Sequence, residues 1–286
     1  MEAKLPCSSL PPRPRLWFST GPPRPYPLPV QPPPPKLPTL PLRIKVSYNK
    51  EVTVCIAAIA RAKAGRCIVV CCDSRLDQGW LGSTVYNQKL RIVGTGWLSM
   101  ISGRWQPAQE LVKAITNRFK SGAVTLSDAL ATAREAANDY HTSAFFSNQE
   151  EALVSGFVGS DPIVMHIGAD MSVEALPHSA IGDGGSIASM MMHQRNYSDS
   201  DTVEKVAYIV YEAKRCSERV GSVGKDTTLA IQHPTDSNAP STVNMDMFST
   251  MGLVHLENMR HKYWIQSLST MQKKFPKKCF VNPKSR

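Results

Sequence analysis

The sequence of 286 residues has no run approaching 18 consecutive apolar residues, which excludes a transmembrane helix. Its seven cysteines form no CxxC pair and its seven histidines form no HExxH or HxH pair, so we predict no metal site. No phosphate-binding GxxxxGKS/T pattern follows a strand, so we expect neither a nucleotide site nor a cofactor. The apolar stretch near residue 17 is too short and too interrupted by proline to be a secretory signal.

Cysteine usage also bears on the compartment. Four of the seven cysteines lie in apolar, strand-like runs, where a reduced cysteine acts as a small hydrophobic residue. Because no spacing indicates disulfide pairing, we predict a reducing, cytoplasmic location.

The net charge of +10 would suggest a nucleic-acid or membrane-surface partner if it were spread over a folded domain. It is not spread in this way. Residues 1–52 carry eight Lys/Arg against two Asp/Glu, and residues 233–286 carry eight against three. The middle of the chain carries 17 against 18, a net charge of −1. We therefore expect neither nucleic acid nor a membrane as partner.

Proline divides the chain at the same place, since 15 of the 22 prolines fall between residues 6 and 41. Such a segment has too few backbone donors and too little apolar surface to fold by itself. We therefore predict three parts: a disordered, proline-rich basic tail at 1–52, a globular domain at 53–232, and a basic C-terminal extension at 233–286.

Hydrophobic periodicity predicts the elements of the domain. Strands are expected at 53–60, 67–72, 84–93, 97–101, 152–158, 162–168, 172–180 and 227–231. Helically spaced apolar residues predict helices over 108–119, 125–140, 187–194 and 203–213, with Pro107, Thr125 and Asp201 as start signals. A weaker pattern permits a short helix near 251–264. Strands and paired helices in this order predict an α+β fold, with antiparallel sheets between two helix layers.

One constellation of residues indicates chemistry. Thr53 opens the first strand, Asp73 ends the second strand of the same hairpin, and Lys89 and Gly103 follow. A threonine hydroxyl needs a base, and the α-amine of an N-terminal Thr53 would be one, with Asp73 and Lys89 in support. The backbone N–H of Gly103 would stabilise an oxyanion. Asp73 and Lys89 could instead be a purely structural ion pair.

These residues resemble proteasome β-type subunits and the smaller bacterial proteasome-like peptidase subunits, which are N-terminal nucleophile (Ntn) hydrolases. The motifs that carry the resemblance are TVCIA from residue 53, VVCCDSR from 69, Lys89, MISG from 100 and AIGDGG from 180, and it covers about 53–232. The resemblance implies a four-layer αββα sandwich.

By this resemblance Thr53 is the nucleophile, Asp73 and Lys89 are its supporting pair, and Gly103 is the oxyanion donor. It also implies supporting roles for three further residues: Arg75, Asp183 and Ser222. The chain departs from the family at Val52, where precursors usually have glycine, and at Asp183, where the family has serine. A gapless alignment of the first strand could also place Glu51 at the N-terminal position.

Thr53 can act in this way only as the first residue of the mature protein. One hypothesis is autoproteolysis between Val52 and Thr53. The other is that residues 1–51 are not made, with Val52 read from a GTG start codon and its formyl-methionine then removed. The abrupt change of composition at 50–53 motivates both hypotheses.

The resemblance implies a threonine peptidase that cleaves peptide amide bonds inside a homo-oligomeric ring, with protein or peptide substrates and a possible ATP-dependent unfoldase as partners. Two alternatives stay open. One is a catalytically silent scaffold subunit of the same fold, and the other is a small-molecule amidase of the Ntn superfamily.

Overall fold

The computed structural model describes residues 53–73, 75–77, 84–86, 89–120, 125–220, 223–234 and 243–263. Their strands are β1 (Cys55–Ala62), β2 (Gly65–Asp73), β3 (Arg75–Asp77), β4 (Thr84–Tyr86), β5 (Leu90–Gly94), β6 (Trp97–Ser102), β7 (Glu151–Val158), β8 (Asp161–Ile167), β9 (Val173–Ala175), β10 (His178–Ile181), β11 (Thr227–His233) and β12 (Asn244–Met247). Their helices are α1 (Trp105–Phe119), α2 (Leu126–His141), α3 (Gly185–Gln194), α4 (Val203–Ser217) and α5 (Thr250–Tyr263). None of these helices has the length and hydrophobicity needed to cross a bilayer.

The strands form two five-stranded antiparallel sheets and one hairpin. The first sheet has the order β10-β1-β2-β11-β12, and the second has the order β5-β6-β7-β8-β9. The hairpin pairs β3 with β4. This architecture confirms the predicted α+β class with antiparallel sheets.

Three apolar clusters hold these elements together. One joins β1, β2 and β11 to α3, α4 and α5, and a second joins the other sheet to α1 and α2. The third contains residues of both sheets, among them Ile68 and Cys72 of the first and Leu98 and Leu153 of the second. Most side chains of β1 and β2 are buried on both faces, because one face meets helices and the other meets the second sheet.

Helix starts were predicted with mixed success. Thr125 and Asp128 form a complete capping box at α2, as the sequence indicated. Helix α4 is capped by Thr202 rather than by Asp201, because Asp201 instead accepts hydrogen bonds from Ser198 N and Lys205 Nζ. Helix α1 begins two residues before Pro107, which lacks an N–H and therefore fits its first turn.

Two of the segments predicted as single strands each form two separate strands in the structure. The 172–180 segment divides at Pro177 into β9, which pairs with β8, and β10, which pairs with β1. Proline has no N–H for a ladder, and the Pro177 carbonyl accepts from Ile59 N at 2.9 Å. The 84–93 segment divides near Lys89 into β4 and β5, which belong to different sheets.

The strand at 227–231 is not the last. Strand β12 pairs with β11, and α5 contributes the buried side chains of Leu256 and Met259 to the first cluster. Part of the segment 233–286, predicted to be an extension, therefore belongs to the sheet and its core. Strand β12 was not predicted, because it has only four residues and its apolar and polar side chains alternate only weakly.

Candidate active site

Thr53 lies two residues before the start of β1 and is only 1% exposed. Its carbonyl accepts a hydrogen bond from Gly184 N at 3.2 Å. Gly182 packs against it as well, with a φ of +86° that L-residues rarely adopt. The turn after β10 therefore fixes the backbone of Thr53 from one side.

Asp73 ends β2 and reaches Thr53 across the β1–β2 pair. Its Oδ1 accepts hydrogen bonds from Thr53 Oγ1 at 2.7 Å and from Val54 N at 3.2 Å. Its Oδ2 accepts from Gly224 N at 3.0 Å, and the side chain is fully buried. Both carboxylate oxygens are thus hydrogen-bonded, which offsets part of the cost of burying the charge.

Lys89 precedes β5 and brings the second sheet to the same point. Its Nζ donates to Asp73 Oδ1 at 2.8 Å and also to Thr53 Oγ1. The Thr53 hydroxyl therefore donates a hydrogen bond to a carboxylate and accepts one from an ammonium group. An ammonium at this oxygen favours the alkoxide electrostatically, and burial strengthens the effect.

Gly103 follows β6, where its φ of +108° and a close approach to Glu150 exclude a β-carbon. A Cβ at this position would stand 2.9 Å from Glu150 Cα. Cys55 links this strand end to the site, because its Sγ donates to Ile101 O at 3.5 Å and lies 4.0 Å from Thr53 Oγ1. Gly103 therefore lies two residues after Ile101, whose carbonyl is linked through Cys55 to the Thr53 hydroxyl.

The three residues expected to support the site have different positions. Arg75 is the first residue of β3 and lies opposite Tyr86 of β4 in the strand register. Asp183 lies in the turn between Gly182 and Gly184. Ser222 lies outside the described residues.

Ser217, a fully buried residue at the end of α4, is not among the residues that the sequence predicted for the site. Its Oγ donates to Gly184 O at 2.9 Å and so supports the turn that contacts Thr53. Gly224, whose N–H binds Asp73, was not predicted either. No motif marks either residue, since Ser217 is the last residue of a helix and Gly224 lies in a loop three residues before β11.

Cysteines near the site are not competing nucleophiles. Burial raises the pKa of the Cys55 thiol well above its ordinary value. Burial likewise raises the pKa of Cys71 to about 12. These thiols are therefore protonated at neutral pH, whereas nucleophilic cysteines need a depressed pKa. In the described part of the chain, no group of three or more His, Cys, Asp or Glu side chains could hold a metal ion.

Comparisons with known proteins bear on the family assignment. No protein-family model matches the chain, and no curated protein matches it. Among solved structures, the chain is similar to a Gly-1 mutant of Anbu from Hyphomicrobium sp. strain MC1, with a TM-score of 0.56 and 16% identity over 78% of this chain and 100% of that chain. The identification with proteasome β-type and related peptidase subunits was therefore wrong as a family assignment. What the comparisons support is a distant likeness of fold to Anbu.

Proposed function

We propose that the chain is a threonine-type hydrolase that cleaves peptide amide bonds, with Thr53 as an N-terminal nucleophile. One observation carries the proposal: Asp73 Oδ1 and Lys89 Nζ both bind the buried Thr53 hydroxyl. A β-forming threonine at a strand start does not need such partners. The arrangement supplies what a hydroxyl nucleophile requires except a base, and a free α-amine would complete it.

The first reaction would act on the chain itself. Thr53 Oγ1 attacks the Val52 carbonyl carbon, and its proton passes to the Thr53 nitrogen as the peptide C–N bond breaks. The resulting ester on Oγ1 is hydrolysed by water, which leaves Val52 as a carboxylate and Thr53 with a free amine. This step would separate 1–52 from the domain.

The mature site would then cleave substrates by the same chemistry. The α-amine, with an ordinary pKa of about 8, takes the hydroxyl proton while Oγ1 attacks the substrate carbonyl carbon. The Gly103 N–H would stabilise the oxyanion, and the proton passes to the departing amine. Water, deprotonated by the Thr53 α-amine, then attacks the ester carbonyl carbon. The proton passes to Thr53 Oγ1 as the ester C–O bond breaks, which releases the acid and restores the hydroxyl.

The proposal includes an assembly. We infer a homo-oligomeric ring that encloses the active sites and cleaves protein or peptide substrates in the cytoplasm. An ATP-dependent unfoldase would deliver unfolded substrates to this ring. Exposed apolar side chains support self-association, among them Ile92 at 63%, Met190 at 52% and Met251 at 58%. We also infer the four-layer αββα sandwich, because one cluster joins the two sheets while the two others join each sheet to its own helices.

A second function is a catalytically silent scaffold subunit. It is favoured by the peptide bond that joins Val52 to Thr53 in the full chain, because this bond removes the base. Buried ion pairs such as Asp73–Lys89 also occur for structural reasons.

Intact mass and active-site labelling separate the two functions. The full chain, expressed in its native host, is expected to lose 1–52 and to react with a β-lactone or peptide vinyl sulfone. Labelling should disappear in Thr53→Ala and persist in Thr142→Ala, a matched change of an exposed threonine after α2. A protein that keeps residues 1–52 and resists the label would instead be the scaffold subunit.

A further inference from the structure

Glu151 connects the two sheets at the end where the candidate site lies. It begins β7, directly opposite Ser102 of β6. Its Oε2 accepts hydrogen bonds from Ser102 Oγ at 3.3 Å and from Gly182 N at 3.1 Å. Ser102 belongs to the second sheet, whereas Gly182 follows β10 of the first. One carboxylate oxygen therefore ties the ends of both sheets together.

Each end of this connection adjoins a part of the proposed machinery. Ser102 directly precedes Gly103, the proposed oxyanion donor. Gly182 packs against Thr53 so closely that a β-carbon there would stand 2.6 Å from Thr53 Cγ2. A displacement of either end would change the distance between the nucleophile and the oxyanion donor.

We propose that Glu151 is a positioning residue, which sets the spacing between Thr53 and Gly103 through the Ser102–Glu151–Gly182 bridge. The inference rests on the proposed function, because the spacing has kinetic consequences only if Thr53 is a nucleophile. Glu151 itself does not touch the reacting atoms.

The second oxygen of Glu151 faces His166 of β8. Its Oε1 lies 3.6 Å from His166 Nε2. Among the described residues, the other charged groups near this imidazole are Asp170 in the following turn and Glu174, its cross-strand partner in β9. Interaction with His166 and the two hydrogen bonds lower the pKa of Glu151. The carboxylate is thus ionised at neutral pH, and an ionised carboxylate accepts from both donors of the bridge.

The neighbouring Glu150 binds different partners. It is fully buried and points to the helix side, where it accepts from Tyr140 OH at 2.9 Å and Arg104 N at 3.3 Å. These contacts anchor the start of α1. Of the two adjacent carboxylates, only Glu151 faces the turn that contacts Thr53.

The test compares three variants of the full chain, processed as the wild type is. Glu151→Leu removes the acceptor, Glu151→Gln keeps an acceptor oxygen for Gly182 N, and Glu174→Leu makes the same change on an exposed strand of the same sheet. We expect Glu151→Leu to lower kcat about 10- to 100-fold, less than the ~10²–10³ of losing an oxyanion donor outright. KM should stay within about threefold, because the loss concerns the transition state. Glu151→Gln should recover most of kcat, and Glu174→Leu should match the wild type.

A second readout does not depend on activity. Amide hydrogen exchange of Gly182 should be at least about tenfold faster in Glu151→Leu than in the wild type, since its acceptor is gone. An unchanged kcat, or unchanged exchange at Gly182, overturns the positioning role while the proposed function stands. A wild type that turns over no substrate refutes the proposed function instead, and the exchange rate then decides by itself whether Glu151 fixes Gly182.

Discussion

Gly182 lies against Thr53 with no room for a side chain. A β-carbon at residue 182 would stand 2.3 Å from the Thr53 carbonyl oxygen, closer than real β-carbons come. The backbone of Gly182 also has a φ of +86°. Glycine is thus required twice at this position, by conformation and by contact, and the contact is with the candidate nucleophile.

We therefore expect Gly182→Ala to be both unstable and inactive. The left-handed conformation costs about 1–2 kcal/mol for an L-residue, and the overlap with Thr53 costs about 1–3 kcal/mol more. Because relief of the overlap must move Thr53, labelling of Thr53 by a β-lactone should fall by more than the folded fraction does. Urea unfolding and labelling kinetics measure the two effects.

Gly159→Ala is the matched control. Its φ is +61°, yet nothing lies within 4 Å of its β-carbon position. It should therefore show only the conformational cost of about 1–2 kcal/mol, with labelling unchanged. Equal losses of stability in the two variants would contradict the close contact at Gly182.

The buried Asp73–Lys89 pair predicts a strong loss on truncation. Lys89→Met leaves the Asp73 carboxylate buried without its cation, although three hydrogen-bond donors to it remain. We expect unfolding to become easier by about 3 kcal/mol and labelling of Thr53 to be lost. Lys113→Met, which removes an exposed ion pair, should cost less than about 1 kcal/mol.

A double variant tests the coupling of the pair. Asp73→Asn together with Lys89→Met should cost less than the sum of the single changes, because neither charge is then left alone in the interior. Additive costs from urea unfolding would show that the two charges do not stabilise each other.

The sequence predicted the three side chains that the structure brings together at Thr53, but not the residues that support them. Asp73 was expected near Thr53 because a hairpin returns the chain to the start of β1, whereas Lys89 was predicted from a spacing that resembles that of Ntn hydrolases. Glu151 and Ser217 belong to no such hairpin or motif, and their partners Gly182 and Gly184 lie 31 and 33 residues away. Hydrogen bonds across that separation depend on how the sheets stack, and hydrophobic periodicity does not encode stacking.

Strand breaks show the same limit. Residues 172–180 have a continuous strand pattern, but Pro177 directs its two halves into different sheets. Helix α2 also has Leu126 on its predicted apolar face, yet this side chain is 48% exposed because it lies in the first turn. Periodicity thus predicted the elements, whereas their partners were set by tertiary contacts.

Glu151 predicts a pH dependence of stability. Its pKa is lower in the folded protein than in the unfolded chain, so its ionised form stabilises the fold. This contribution is fully present above the ordinary pKa of about 4.3 and is lost as pH falls through the lowered folded value. The stability difference between wild type and Glu151→Gln should therefore be largest near neutral pH and should shrink below pH ~4.

Urea unfolding at several pH values measures this difference. It should be below about 1 kcal/mol, because the Glu151 side chain is 28% exposed and its pair is partly screened. Glu174→Gln, a neighbouring exposed carboxyl, serves as the control. A difference that grows on acidification would mean that the folded pKa is raised and would contradict the assignment.

Lys214 is a buried charged residue outside the candidate active site, and its replacement is expected to affect the reactivity of Thr53. This fully buried lysine of α4 donates to Lys225 O at 2.8 Å and also binds the Glu218 carboxylate. Lys225 directly follows Gly224, whose N–H binds Asp73. The ammonium therefore holds the loop that completes the shell of the Asp73 carboxylate.

Replacement of Lys214 by methionine keeps the volume and removes the donor. Glu218 retains Arg215 at 2.8 Å, so the cost should be about 1–3 kcal/mol rather than that of an unpaired buried charge. Because Gly224 would lose its fixed position, Thr53 labelling should slow by about tenfold at full folding, as expected for a small misplacement. Lys205→Met, on the same helix but paired with Asp201, should leave labelling unchanged. Equal labelling rates in the two variants would show that the loop holds Asp73 without help from Lys214.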